Sequence, residues 1–178
     1  MKILQVITSL LAVTFIPAPA TSLQASISHT KIWDVSGGDR LEKGALKVSA
    51  PDKRYFVKAY VGEGNIVMLD VFSNRKSQLA QYSDVTSFAW LGKKGNILLV
   101  ATANQYDYGR VYLWERTSHV IFRNKEGAGA DSYYIGAWLD SVNASSKNAR
   151  IKIVYWDSEG NEDKHRTRDF TIKVSDPR

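Results

Sequence analysis

Apolar and polar positions alternate over short distances along most of this chain. Runs of Val, Ile, Leu, Tyr, Phe and Trp are broken by Gly, Asn, Asp or Ser roughly every 8 to 12 positions. No segment repeats its apolar residues at helical spacing. The pattern predicts an all-β, antiparallel fold with its clearest strands over 53–61, 65–72, 96–103, 110–116, 119–124, 150–157 and 169–174. The links Gly62-Glu63-Gly64 and Ser158-Glu159-Gly160-Asn161 supply Gly-bearing turns that close hairpins.

The N-terminus departs from this pattern. Lys2 is the only charged residue among the first twenty, a largely apolar stretch runs from Ile3 to Ile16, and Ala18-Pro19-Ala20 follows as a small-x-small site. These are the parts of a secretory signal peptide, with cleavage after Ala20, or alternatively after Ala25. The stretch is shorter than the roughly 20 residues that span a bilayer, and Pro17 and Pro19 stop a helix. The expectation is a signal peptide over 1–20, a single all-β domain over 21–178 with no transmembrane segment, and a secreted or periplasmic location. The absence of Cys removes disulfides and thiolate sites, so stability must come from the core.

Charge adds a second constraint. The chain carries +6 at neutral pH, and loss of Lys2 with the leader leaves +5. The basic residues are dispersed, and the densest group, Lys164 to Arg168, follows four acids between Asp157 and Asp163. That distribution argues against a nucleic-acid-binding face.

A repeat emerges when the runs are aligned. Ile32-Trp33-Asp34, Met68-Leu69-Asp70, Leu113-Trp114-Glu115 and Tyr155-Trp156-Asp157 form one column, spaced 36, 45 and 42 residues apart. Phe88-Ala89-Trp90-Leu91 and Gly136-Ala137-Trp138-Leu139 form another at a spacing of 48, with Val48-Ser49-Ala50-Pro51-Asp52 lying 40 residues before the first. All five tryptophans fall in these columns. A period near 40 to 45 residues is that of a four-stranded propeller blade.

The triplets, together with "VSAPDKRYFV" and "GNIVMLDV", resemble blades of tryptophan-aspartate repeat proteins and, more closely, of periplasmic Tol-type and prolyl-peptidase propellers. Those blades run Trp-Ser-Pro-Asp-Gly-Lys, strand, turn, and a strand ending Leu-Asp. Here "SAPDK" lacks the Trp and the Gly, and "AWLGKKG" lacks the Pro and Asp. The resemblance implies a partial propeller, since four triplets accompany only three inner segments. A plain β-sandwich is the alternative, with 149–174 as its last hairpin. An open strand edge leaves room for homo-oligomers, through terminal strands 29–35 and 169–174 or by pairing of those termini within one chain.

The chemistry is sparse. No G-x-S-x-G elbow occurs, and His29, His119 and His165 stand in separate contexts, so neither a hydrolytic nor a zinc site is expected. "DSEGNED" (157–163) alternates oxygen side chains, but its Gly160 is misplaced for a calcium loop, and a charged turn is the better reading. Two loops carry ligand-binding candidates: Tyr106, Asp107 and Tyr108 in one, Tyr133 and Tyr134 in the other. Tyr beside Asp and Asn suits stacking on sugars or anchoring a protein. The expected function is an exported, non-enzymatic module that binds a protein or glycan partner without a cofactor. The alternatives are an envelope structural or inhibitor protein docking by a β-edge, and the remnant of a propeller-bearing hydrolase.

Overall fold

The computed structural model describes residues 30–36, 41, 44–91, 97–105, 108–124, 134–143, 147–157 and 159–174. Among these there are twelve strands and no α-helix. β2 (Leu46–Ser49), β3 (Tyr55–Val61), β4 (Val67–Ser73) and β5 (Gln78–Tyr82) form one antiparallel meander. β6 (Val85–Leu91), β7 (Ile97–Gln105), β8 (Arg110–Glu115) and β9 (Thr117–Arg123) form a second, with β1 (Ile32–Asp34) on the outer side of β6. β10 (Tyr134–Asn143), β11 (Asn148–Trp156) and β12 (Arg168–Lys173) form the third. The fold is therefore all-β with antiparallel sheets, and the seven strongest strand expectations each fall on a strand within about two residues.

The side-chain period of two explains how the meanders stack. On one face of the second meander, Phe88, Trp90, Leu98, Val100 and Trp114 share a core with Val57, Ala59, Leu69 and Val71 of the first. On the opposite face, Ala89, Leu91, Leu99, Ala101 and Leu113 pack against Ile135, Ala137, Leu139, Ile151 and Ile153 of the third. The second meander is thus the middle layer of three, and every residue of β6 is buried. A strand buried on both faces need not alternate, which accounts for the unbroken "FAWL" and "ILLVATA". Trp114 is fully buried, with Tyr55 edge-on at 5.1 Å and Trp90 at 6.2 Å between ring centroids.

The chain changes layer through Ser83 and Asp84, where Asp84 takes a left-handed conformation (φ 53°) that Asp tolerates better than most residues. The third meander is anchored to the second along β10. Its start pairs with the end of β7, Tyr134 opposite Gln105 and Gly136 opposite Ala103. Farther along, side chains of β6 serve its edge: the Thr86 hydroxyl donates to the Ala137 carbonyl, and the Leu139 N–H donates to Ser87 Oγ at 2.8 Å. Both hydroxyls are buried, at 3% and 0% exposure. They satisfy backbone groups that an edge strand would otherwise leave open.

The repeat columns take definite places. Val48, Trp90 and Trp138 all lie on the first strand of their meanders. Leu69 and Trp114 lie on third strands, but Tyr155 and Trp156 lie on the second strand of the last meander, and Trp33 lies on β1 beside β6. Four equivalent outer triplets are therefore not present. The termini do not seal one another either: β1 pairs with β6 and β12 with β11. β6 had an open side that β1 could fill, whereas β12 follows β11 through a local turn. The leader expectation falls on residues outside those described. No helix among the described residues is long and apolar enough to cross a membrane.

Candidate functional site

β6 and β10 begin, and β7 and β11 end, at the same end of the stack. Elements of all three meanders meet there around a cavity of about 530 Å³. The first meander contributes Gly64 to Val67, around the turn into β4. The second contributes Asp84, Val85, Thr86 and Ala103, and the third contributes Tyr134, Trp138 and Trp156. The turn into β4 is tight because Gly64 (φ 70°) and Asn65 (φ 61°) both take left-handed conformations, and Gly62 N–H donates to the Ile66 carbonyl at 2.7 Å.

Aromatic rings form one wall. Trp138 and Trp156 meet at 5.0 Å between centroids with planes at 62°, and Tyr134 lies 5.6 Å from Trp156. All three are half-buried. They sit on the face of the third meander opposite Ile135, Ala137 and Leu139, and so are left out of its core. Gly136 makes the arrangement possible, since a Cβ there would overlap the Trp138 ring. The indole lies over the backbone of its own strand two residues back.

Asp84 supplies the charge. Burial pushes its carboxyl above the ordinary value, an effect partly offset by a hydrogen bond from Ser83. Burial also raises the Tyr134 phenol, with the Asp84 charge adding to it. Ser36 and Asn65 add polar groups to the lining. Apolar ring faces beside a carboxylate, an amide and a hydroxyl can grip a ligand that has both C–H faces and hydroxyls.

The predicted site residues separate. Tyr134 lines this cavity, but Tyr108 belongs elsewhere, with the Arg123 guanidinium 3.6 Å from its ring centre. Arg123 in turn lines a second cavity of about 790 Å³ between β9 and β12, with Phe122, Tyr155, Arg166 and Phe170. Tyr106, Asp107 and Tyr133 lie outside the described residues. Asp84, Trp138 and Trp156 were not singled out as site residues from the sequence, where both tryptophans read as core. The available signal was parity: Trp138 alternates with Ala137 and Leu139, so one set must face away from the core. A Gly two positions before a Trp marks where the ring can lie flat.

Other oxygen and imidazole groups are engaged locally. The Asp157 carboxylate accepts the N–H groups of Glu159 (2.9 Å) and Asn161 (2.8 Å), and the Asn161 bonds hold it below the ordinary carboxylate range. Glu162 accepts from Lys152 and Thr167. The segment 157–163 thus spends oxygens on its own turn. His119 is exposed and bonds Thr117 Oγ1 at 2.8 Å, and His165 is exposed on the connection to β12. Among the described residues no cluster of three or more His, Asp or Glu could hold a metal ion. The chain matches no family model, no curated protein and no solved structure.

Proposed function

We propose that this protein is an exported, non-enzymatic binding module that holds a sugar residue of a glycan in the end cavity. The observation that carries this reading is the run of three touching aromatic rings, Tyr134, Trp156 and Trp138, placed beside the half-buried Asp84. A pyranose presents C–H groups on its faces and hydroxyls around its rim. The indoles meet the first, while Asp84, Asn65 and Ser36 meet the second. Tyr106, Asp107 and Tyr133, outside the described residues, are kept in this proposal from the sequence alone, as ligand contacts whose alanine variants a glycan array would test.

In the same proposal the meanders are three successive blades of a partial propeller of tryptophan-aspartate or Tol type. This is supported by the inner column, which recurs on the first strand of each meander, and by the direct passage from β5 into β6 across layers. The test is a glycan array followed by calorimetry on the best hit. Trp156→Ala and Asp84→Asn should each weaken binding at least about tenfold, as expected for losing a stacking face or a charged hydrogen bond. Unchanged affinity in both folded variants would refute the site.

A second reading, docking through a β-edge, draws on β9. Among the described residues that strand pairs only with β8, and its Val120 is 52% exposed. A Val120→Lys change that abolishes partner capture while leaving glycan binding intact would favour it.

A further inference from the structure

The outer face of the first meander, opposite its core, carries a concentration of positive charge that the dispersed sequence hides. Lys47, Lys53, Lys58 and Lys76 surround a shallow groove of about 400 Å³ whose floor is Phe56 and Phe72. The two phenyl rings are cross-strand partners and stack at 5.1 Å with planes 14° apart. No acidic residue lines the groove. The nearest acids are already occupied: Asp52 pairs with Arg54 at 2.7 Å, and Asp70 is buried and accepts from Gln78 and Gln81. None of the four lysines forms an ion pair among the described residues.

Two features of this cluster are unfavourable for folding. Lys47 and Lys58 stand directly opposite each other on β2 and β3, and like charges so placed repel, a cost that Asp70, opposite Lys58 on β4, offsets only for Lys58. Lys53 and Lys76 both hold left-handed conformations, φ 60° and 66°, in the turns before β3 and before β5. Gly or Asn would adopt that conformation at less cost. Four lysines gathered at a cost to stability point to a role for their charge.

We infer that this face binds an acidic polysaccharide, a linear chain bearing carboxylate or sulfate groups, at a site separate from the end cavity. Four spread ammonium groups suit repeated charges along a polymer better than one small anion. A nucleic acid is disfavoured because the Phe56 ring is already engaged: Phe72 stacks on it and the Lys47 ammonium lies over it, 4.1 Å from its centre, which takes up aromatic surface that base stacking would need. A membrane is disfavoured because the phenyl rings are half-buried, and none of the exposed large apolar side chains lines the groove.

Heparin and polygalacturonate serve as probes for the full chain, with duplex DNA and phosphatidylglycerol vesicles beside them. The chain should bind at least one glycan more tightly than either of the other two. Lys47→Gln with Lys58→Gln should weaken that binding about tenfold at moderate salt and flatten its salt dependence. Lys53→Asn with Lys76→Asn should also weaken it, while melting at or above the wild-type temperature. That combination separates a binding role from a structural one. Lys164→Gln with Lys173→Gln removes the same charge from other parts of the molecule and should change binding little. Equal loss in this control pair, no binding to either glycan, or tighter binding to DNA or vesicles would each overturn the inference. The end-cavity variants Trp156→Ala and Asp84→Asn leave this binding intact, so the two sites fail or stand independently.

Discussion

Replacing Ser87 with alanine removes a single oxygen from the joint between the middle and third layers. The lost atom accepts the Leu139 N–H at 2.8 Å from a position that is fully buried. Water has no access to replace it, so the amide is left without a partner. An orphaned buried donor costs roughly 1 to 3 kcal/mol, and the smaller side chain leaves too little space for a cavity to add much. For a domain of this size each kcal/mol lowers the melting temperature by about 2 to 4 °C, so the expected fall is roughly 2 to 12 °C. Thermal unfolding followed by circular dichroism measures it, and hydrogen exchange localises it to Leu139. Ser77→Ala, on an exposed turn, should stay within about 0.5 kcal/mol of wild type. Thr86→Val should cost less than Ser87→Ala, because a carbonyl has a second lone pair and tolerates the loss better. An unchanged melting temperature and unchanged exchange at Leu139 would show that the two hydroxyls do not secure β10, and the account of how the layers are joined would fall.

Trp114→Ala should destabilise by about 3 to 5 kcal/mol, whereas Trp156→Ala should cost clearly less, because the first indole is fully buried and the second only half so; equal melting shifts would contradict this. Gly136→Ala should displace the Trp138 ring and reduce ligand affinity, with a change in tryptophan fluorescence as its signature. Asp84→Asn should stabilise at neutral pH. Because the folded pKa is raised, this group favours folding below its unfolded value near 3.8, and that contribution is lost as pH rises through the folded value. The stabilisation should therefore shrink near pH 3.5, and a constant difference across pH would refute it. Mass spectrometry of exported protein should find Thr21 or Ser26 at the N-terminus, and an intact Met1 would refute the leader.

What the sequence determined by itself was the type of structure and its local parts. Short β-branched and aromatic runs between Gly, Asn and Asp turns admit only strands, and the seven strongest runs are all strands. The recurring Ala-Trp-Leu marked equivalent first strands, since it falls on β6 in one meander and on β10 in the next. β5, by contrast, was missed: "QLAQY" is polar on its solvent face and sits on an edge, so its membership depends on pairing with β4. Only the tertiary structure decided which face of each strand is core. Trp90 and Trp138 occupy the same motif, yet Trp90 is buried between two layers and Trp138 lines an open cavity, since no fourth layer covers it among the described residues. Spacing along the chain carries no information about that difference. The site is legible only after packing for the same reason: Asp84 comes from the link between two sheets, Asn65 from a turn in one, and the aromatic wall from another. Their meeting depends on how three sheets stack, a long-range consequence of the shared apolar faces. The lysine face is the converse case, with charges dispersed in sequence that the pairing of β2, β3 and the two turns brings together.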